Sequence, residues 1–276
     1  MFSTDETRYG PIVPINIYKS LCHVNQMHSN DSSRQIQSVA TAFEILSFVQ
    51  RQGSVTLQNV SDHFDIAKST AHNHLSTLHA MGYVSSEGNT YRLGLRLLTH
   101  GMAAREAIQS KEMIRDVLAT VASSIDFPVW WIVEDHGRGI FVEKMGDADE
   151  SYGRVGKRSY LHTHAPGKAI LAELSEKQVQ NIIDIHGLPV HTAQTITDPD
   201  ELYGELKSIR KQGYARSSDE AALGIESLGV AFSGEYNRVH AIGVFGYSHG
   251  FGEKQHSTAI VDELVRAKQE LTEKRS

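Results

Sequence analysis

Residues 55–95 decide the fold of the first half of the chain and read VTLQNVSDHFDIAKSTAHNHLSTLHAMGYVSSEGNTYRLGL. Leu57, Val60 and Phe64 are spaced as one apolar face of a short helix. After a tight connection, the pattern predicts a second helix over residues 67–81, with an apolar face of its own. Two short helices joined by so few residues indicate a helix-turn-helix.

The residues that follow predict a short β-hairpin. Gly82 ends the second helix in a position that favours a left-handed cap. Residues 83–85 and 90–93 are short alternating runs, and residues 87–89, Glu-Gly-Asn, supply a turn between them. We therefore expect a winged helix-turn-helix, with this hairpin as the wing.

The outer face of the second helix carries the residues that point to a function. Its polar side chains are Lys68, Ser69, Thr70, His72, Asn73 and Ser76. Such a helix fits the major groove of B-DNA, where an amide such as Asn73 can pair with adenine. Lys68 at the helix N-terminus and Arg92 in the wing are expected to contact phosphate. The alternative is an ordinary solvated helix face.

The charge distribution limits how DNA could be bound. The 276-residue chain has a net charge of −6, which is unusual for a nucleic-acid binder. Residues 1–33 are net −1, and residues 34–96 hold five basic against four acidic residues; the remaining acidic excess lies in the second half. A nearly neutral domain makes few phosphate contacts, so we expect two copies to act together.

Composition also indicates the compartment. Cys22 is the only cysteine, which excludes an intramolecular disulfide and a cysteine-rich zinc site and fits the cytoplasm. The longest apolar run, residues 127–133, is far too short to span a membrane, and the N-terminus has no apolar signal core. We expect a cytoplasmic protein that does not contact a membrane.

Four segments are predicted along the chain. Residues 1–33, with early glycine and prolines and a later polar cluster, are expected to be a flexible extension. Residues 34–95 form the winged helix-turn-helix domain, residues 96–109 a linker helix, and residues 110–276 the C-terminal domain. The first helix of the DNA-binding domain begins near Ser38. Its apolar stripe is predicted at Val39, Ala42, Phe43, Leu46 and Val49.

The C-terminal domain combines strand-like and helical patterns. Strands are predicted at residues 127–134, 139–143, 214–216, 228–232 and 240–245. Helices are predicted at residues 165–174, 175–186, 199–213 and 253–273. Mixed elements with hairpin-length connections indicate an α+β domain around an antiparallel sheet.

Three motifs resemble those of the IclR family of transcriptional regulators, and of its archaeal members in particular. LHTHAPGKAILAEL at residues 161–174 resembles the family pattern LHxTAxGKAxLAxL. TITDPDELYGELKSIRKQGYARSSDEAALGIESLGVAF at residues 195–232 resembles TxTxxxxLxxELxxIRxxGYAxxxxExxxGxxxxAAP. STAHNHLSTL, followed by GYV and YRLGLRLL, resembles the recognition helix and wing of the family. The resemblance covers about residues 35–270.

The resemblance implies a winged helix-turn-helix domain joined by a linker helix to a GAF-like effector-binding domain. It implies dimers or tetramers that bind a palindromic operator in double-stranded DNA and respond to a small organic acid or aromatic compound. By this resemblance, the effector-binding residues are His164, Ala165, Ser218, Asp219, Gly243 and Phe245.

Some of these positions depart from the family pattern. Gly243 and Phe245 stand where the family presents serines to the ligand. Glycine removes a donor and is expected to open volume, while Phe245 adds an aromatic wall. We therefore expect a larger, flatter and less acidic ligand than a two- or three-carbon oxoacid. The alternative is that Phe245 fills the cavity and the domain only holds the dimer together.

Other residues suggest competing chemistry. His162 and His164 have the spacing of two imidazoles on one side of a strand, as a metal site requires, or they are an incidental pair. Lys168 neutralises an effector carboxylate or is a solvated, helix-terminal lysine. Asp219 and Glu220 lack the accompanying nucleophile or ligand set that catalysis would need. We expect no metal, no cofactor and no enzymatic activity.

A second class of function fits the same sequence. The C-terminal GAF-like domain could form a small-molecule sensor or enzyme, with the winged helix as a protein-contact module. Binding of the chain to DNA upstream of its own gene distinguishes the two hypotheses, because only the regulator requires it.

Overall fold

A computed structural model describes residues 35–146, 153–234, 238–251 and 254–274. The predicted extension, residues 1–33, lies outside this part of the chain. Among the described residues, no helix is both long enough and apolar enough to cross a membrane.

The N-terminal domain is a three-helix winged helix-turn-helix. Its helices are α1 (Gln37–Gln52), α2 (Leu57–Phe64) and α3 (Lys68–Ala80). Its strands are β1 (Val55–Thr56), β2 (Val84–Glu87) and β3 (Thr90–Leu93), in the antiparallel order β1-β3-β2. The helix-turn-helix and the hairpin predicted from the sequence are confirmed. Strand β1 was not predicted, because two residues are too few to show an alternation.

Local side chains fix the ends of α2 and α3. Thr56 and Asn59 form a capping box, in which each side chain satisfies the backbone N–H of the other residue. Asp65 adopts a left-handed conformation, with φ of 49°, and turns the chain towards α3. Gly82, with φ of 77°, follows α3 as predicted and directs the chain into the wing. The ends of α2 and α3 are therefore fixed by residues close to them in the sequence.

The predicted apolar stripe of α1 is partly wrong. Leu46 and Val49 are buried as expected, but they pack together with Ile45 and Phe48. Val39 and Phe43 are 49% and 64% exposed, because the N-terminal half of α1 extends past the core of the domain. Helical spacing shows which residues share a face, but not how far the neighbouring core extends.

Two helices follow the wing. The first, α4 (Arg96–Glu106), lies in the segment predicted as the linker helix and buries none of its residues, whereas α5 (Lys111–Ser124) is amphipathic. Ser110 precedes α5 in a left-handed conformation, with φ of 57°. Helix α4 ends at Glu106, before residue 109, the predicted end of the linker.

The C-terminal domain is the predicted α+β fold. Its strands are β4 (Val129–Asp135), β5 (Arg138–Met145), β6 (Arg158–Tyr160), β7 (Ala215–Ser218), β8 (Ile225–Ser233) and β9 (Val239–Tyr247). They form one antiparallel sheet in the order β6-β5-β4-β9-β8-β7. The remaining helices are α6 (Ala165–Glu173), α7 (Glu176–His186), α8 (Pro199–Gln212), the short α9 (Ser248–Phe251) and α10 (Lys254–Glu273).

Each face of this sheet carries its own hydrophobic core. Helices α6, α7 and α8 cover one face, which we call the inner face, and α5 and α10 cover the other, the outer face. Adjacent residues of a strand point to opposite faces, so Trp130 packs in the inner core and Trp131 in the outer core. Both tryptophans are buried, and the Trp131 indole N–H donates to His240 Nδ1 over 3.1 Å.

Candidate functional site

The polar face that the sequence predicts to contact DNA lies on α3. Ala71, Leu75 and Leu78 point into the N-terminal core and are buried. The six polar side chains predicted to face DNA are all exposed: Lys68, Ser69, Thr70, His72, Asn73 and Ser76. One face of α3 packs against the N-terminal core and the opposite face is exposed, so the polar side chains are held on a rigid element.

The N-terminus of α3 is open to an anion. Ala67 precedes the helix and supplies no side-chain cap, so the first backbone N–H groups have no such acceptor. These groups and the exposed Lys68 favour a phosphate at this end of the helix. In the wing, Arg92 lies 3.9 Å from Glu87, and both side chains are mostly exposed. Such a surface pair is weak, so Arg92 remains available to DNA.

His164 has a structural role in the effector-domain core. It caps α6: its Nδ1 accepts from the Gly167 backbone N–H over 3.1 Å. Its Nε2 lies 2.8 Å from Ser159 Oγ, which itself donates to the Gly139 carbonyl, so Nε2 carries the proton. Burial lowers the pKa of His164 well below its usual value and keeps the ring neutral. Both ring nitrogens are therefore already hydrogen-bonded.

Gly243 does not open a cavity, which corrects the expectation from the sequence. It pairs with Gly229 across β9 and β8, and Pro166 of α6 packs against both glycines. A Cβ at Gly243 would overlap the Pro166 ring, and one at Gly229 would lie 2.7 Å from Pro166 Cα. The volume that the two glycines leave is filled by α6.

Phe245 lies on the inner face, in a cluster of aromatic rings. Its ring centroid is 5.7 Å from that of His164 and 5.7 Å from that of Phe141, and Phe141 packs edge-on against Trp130. Ala165 is buried in the same core. We call His164, Phe245, Phe141 and Trp130 the aromatic cluster.

The other two predicted effector residues lie at the end of β7 and in the turn that follows it. Ser218 is exposed at the end of β7. Asp219, with φ of 60°, uses its carboxylate to accept the Gly224 backbone N–H, and its carbonyl accepts from Thr192 Oγ1. The interactions of Asp219 stabilise the turn before β8.

Lys168 is a buried ion pair rather than a solvated lysine. Its Nζ donates to Glu220 Oε1 over 2.8 Å and to Glu205 Oε1 over 3.0 Å, and the side chain is 2% exposed. Burial raises the pKa of Glu220, and Lys168 partly offsets this effect. Ser217 also favours the charged carboxylate, yet Glu220 Oε2 is buried without a hydrogen bond of normal geometry. Lys168 is thus already neutralised, and binding an effector carboxylate would require it to exchange partners.

The sequence around Lys168 carries a signal for its burial. Lys168 lies within APGKAILAEL, where nearly every neighbour is small or apolar, and such a helix is buried on all sides. A lysine there requires carboxylates, and these come from residues 37 and 52 positions along the chain. The identity of these two glutamates cannot be predicted without knowing the fold.

The histidine pair does not build a metal site in the described part of the chain. His162 Nε2 donates to the Pro189 carbonyl over 3.2 Å, and burial lowers the pKa of His162 to about 4. His191 lies with its ring 6.5 Å from that of His162, whereas His186 is bound to the His136 carbonyl. No three His, Cys, Asp or Glu side chains among the described residues are arranged to hold a metal.

Two surface pockets lie away from the aromatic cluster. An open groove of about 830 Å³ between α7 and α8 is lined by Gln180, Tyr203 and Lys207, among others. A smaller pocket of about 390 Å³ lies beside α1 and α2 in the N-terminal domain. Neither contains a residue predicted to bind the effector.

A winged helix-turn-helix with an exposed recognition helix, followed by a linker helix and an antiparallel α+β domain, defines a two-domain transcriptional regulator. Residues 38–88 match the family described as "IclR helix-turn-helix domain", and residues 106–272 match "Bacterial transcriptional regulator IclR C-terminal". The chain belongs to the IclR family of transcriptional regulators, with a DNA-binding helix-turn-helix and a C-terminal effector domain.

Named relatives agree with this assignment. The chain is 31% identical to "Probable HTH-type transcriptional regulator ArcR" of Halobacterium salinarum over 212 residues, covering 75% of this chain and 81% of that protein. The Thermotoga maritima IclR crystal structure matches with a TM-score of 0.67 and 26% identity, over 87% of this chain and 99% of that one. An IclR homologue of Microbacterium hydrocarbonoxydans, in complex with 4-hydroxybenzoate, matches with a TM-score of 0.64 and 19% identity, over 85% and 99% of the two chains.

The contact between Pro166 and the paired glycines leads to a direct test. Gly243→Ala should destabilise the protein by about 1–3 kcal/mol, because the added methyl group overlaps the proline ring. Gly204→Ala is the matched control: a Cβ on this glycine of α8 meets no atom within 4 Å, and alanine favours a helix. Urea denaturation measures both variants. Equal stability of Gly243→Ala and wild type would show that the space beside Gly243 is open.

Proposed function

We propose that the chain binds a palindromic operator as a homo-oligomer, at least a dimer, and that a small organic effector in the C-terminal domain changes its affinity for DNA. The observation that supports this most directly is the exposed polar face of α3, held against a packed core and open at its N-terminus. In this proposal α3 enters the major groove, and the wing contacts the backbone.

The residues on α3 divide into base-reading and phosphate-binding groups. Asn73 lies mid-face with an exposed amide, whose donor and acceptor match the edge of adenine. Thr77 Oγ1 donates to the Asn73 carbonyl over 2.8 Å and leaves that amide untouched. His72 and Ser76, whose side chains lie 3.5 Å apart, extend this reading surface. Lys68, Ser69, Thr70 and Arg92 are assigned to phosphates.

Pairing of two chains follows from charge and from exposed apolar side chains. A domain with a net charge of +1 gains affinity by doubling its phosphate contacts. Large apolar side chains are exposed on α1, on α4 and directly before them: Ile36, Val39, Phe43, Leu95, Leu98 and Met102. We propose that these residues form the subunit contact. Leu97 of the same helix is not part of this contact, because it packs against the N-terminal core.

We place the effector in the aromatic cluster and assign it as an aromatic acid. His164, Ala165, Gly243 and Phe245 belong to this site, and Ser218 and Asp219 border it in our proposal. The bound 4-hydroxybenzoate of the Microbacterium relative supports this class of ligand. In the competing proposal, the packed rings fill the site and the domain only joins subunits.

The remaining assignments are also proposals. We divide the chain into residues 34–95, 96–109 and 110–276, and the two family matches at 38–88 and 106–272 support this division. We propose that the chain has no enzymatic activity, since the named relatives are transcriptional regulators. The Halobacterium relative supports an affinity with the archaeal members of the family.

Substitutions on α3 test the DNA-binding surface. Asn73→Ala should cost about 1–3 kcal/mol on the cognate site and little on random DNA, because it removes a base contact. Lys68→Ala should weaken binding to all sequences and flatten the salt dependence by about one unit. Gln50→Ala, which removes an exposed amide from α1, is the control. Fluorescence anisotropy measures these affinities; an equal loss on cognate and random DNA for Asn73→Ala would contradict its base-reading role.

Thermal shift tests the effector proposal. 4-Hydroxybenzoate should raise the melting temperature of the wild type, because a ligand that binds only the folded state stabilises it. Phe245→Ser should lose this effect, and Ile185→Ser, which changes an exposed apolar side chain of α7, should retain it. Stabilisation by glyoxylate or pyruvate alone would contradict an aromatic effector. No stabilisation by any organic acid would favour the filled core.

A further inference from the structure

Charged side chains tie the end of the linker helix to the effector domain. Glu143 Oε2 of β5 lies 3.0 Å from the Arg105 guanidinium of α4 and accepts from Arg115 Nε of α5 over 2.7 Å. Glu106 of α4 pairs with Lys111 and lies 3.9 Å from Arg115. We call Arg105, Glu106, Lys111, Arg115 and Glu143 the linker junction. Its three basic and two acidic side chains alternate in space, so each cation faces a carboxylate.

Glu143 is the centre of the linker junction. Its side chain is 14% exposed, and one of its oxygens serves both guanidinium groups. Arg105 Nε is buried without a hydrogen-bond partner, so the contact to Glu143 is what holds this guanidinium in place. Removing the charge of Glu143 would leave two half-buried arginines facing each other without a carboxylate between them.

A β-bulge connects the linker junction to the aromatic cluster. Ile132 pairs with Phe141 and Trp131 pairs with Glu143, so Val142 has no partner on β4. In a regular strand, Phe141 and Glu143 would point to the same face. The bulge inserts one residue, and Phe141 therefore lies in the inner core while Val142 and Glu143 face α5 on the outer side.

We propose that Glu143 transmits the state of the aromatic cluster to the linker helix. Phe141 contacts His164 and Phe245, and it is two residues from Glu143 on the same strand. A ligand that displaces Phe141 moves the bulge, and the bulge moves the carboxylate that anchors Arg105. This inference rests on the proposed effector site and names the positioning residue through which that site acts.

Hydrogen exchange of α4 in the full-length protein tests the linker junction without DNA or effector. Glu143→Gln should speed amide exchange in residues 100–106 by about fivefold or more, because the end of α4 loses its anchor. Glu173→Gln is the matched control, since Glu173 forms a comparable ion pair with Lys268 at 2.6 Å and does not contact the linker. Equal exchange in the two variants would overturn the proposal.

A double-mutant cycle tests transmission from the aromatic cluster. Phe245→Leu loosens the packing on Phe141 and should speed exchange of α4 in the wild-type background but add nothing to Glu143→Gln. A cooperative thermal transition confirms that each variant is folded. The proposal is overturned if Phe245→Leu leaves α4 unchanged, or if it acts equally in both backgrounds.

The affinity of the same four proteins (wild type, Phe245→Leu, Glu143→Gln and the double variant) for DNA upstream of the gene gives a second measurement of the coupling. Phe245→Leu should change the Kd of the otherwise wild-type chain and leave that of Glu143→Gln unaltered. If the wild type did not bind DNA at all, the proposed function would be wrong, but the proposed role of Glu143 would not be affected. The exchange cycle would still decide whether Glu143 couples the aromatic cluster to α4.

Discussion

The packing of Pro166 against Gly229 and Gly243 is the contact on which the effector domain depends. It brings the first turn of α6 to within van der Waals distance of two central strands. Any side chain on either glycine would push α6 away from the sheet. Because α6 lies so close, His164 caps it from inside the core, and Lys168 is carried into the interior with it. The two glutamates that meet Lys168 are then a requirement of the fold, since an unpaired buried ammonium is too costly.

This close packing has a consequence for ligand binding. The aromatic cluster beneath α6 is filled by its own rings, so an effector must displace side chains that already contact one another. The free energy of binding has to exceed that of the lost ring contacts, and this favours a ligand that is itself flat and apolar. In the mechanism we propose, this displacement also moves Phe141, which shares a strand with the carboxylate that contacts Arg105 of the linker helix.

Local features of the fold were predictable from the sequence. The stripe Leu57, Val60 and Phe64 and the Gly82 cap each depend on neighbouring residues only, and each was confirmed. The polar face of α3 followed from the same periodicity. These features are encoded within one or two helical turns, where spacing and conformational preference are sufficient.

Long-range features were not predictable. The exposure of Val39 and Phe43 depends on where the N-terminal core ends, and the burial of Lys168 depends on carboxylates far along the chain. The space beside Gly243 was misjudged because a missing side chain opens a cavity only if nothing else occupies it. The bulge at Val142 could not be detected from the alternation of apolar and polar residues, because the strand is too short. In each case, burial, free space or strand register depends on residues from a segment that is distant in the sequence.

Sedimentation velocity of the full chain with DNA from upstream of its gene measures how many chains bind the operator. We expect a complex of two chains, or a multiple of two, per DNA fragment, and an affinity at least about tenfold higher than for a scrambled fragment of equal length. We also expect this complex to dissociate steeply as salt is raised. A single chain per fragment, bound equally to both sequences, would contradict operator binding by an oligomer.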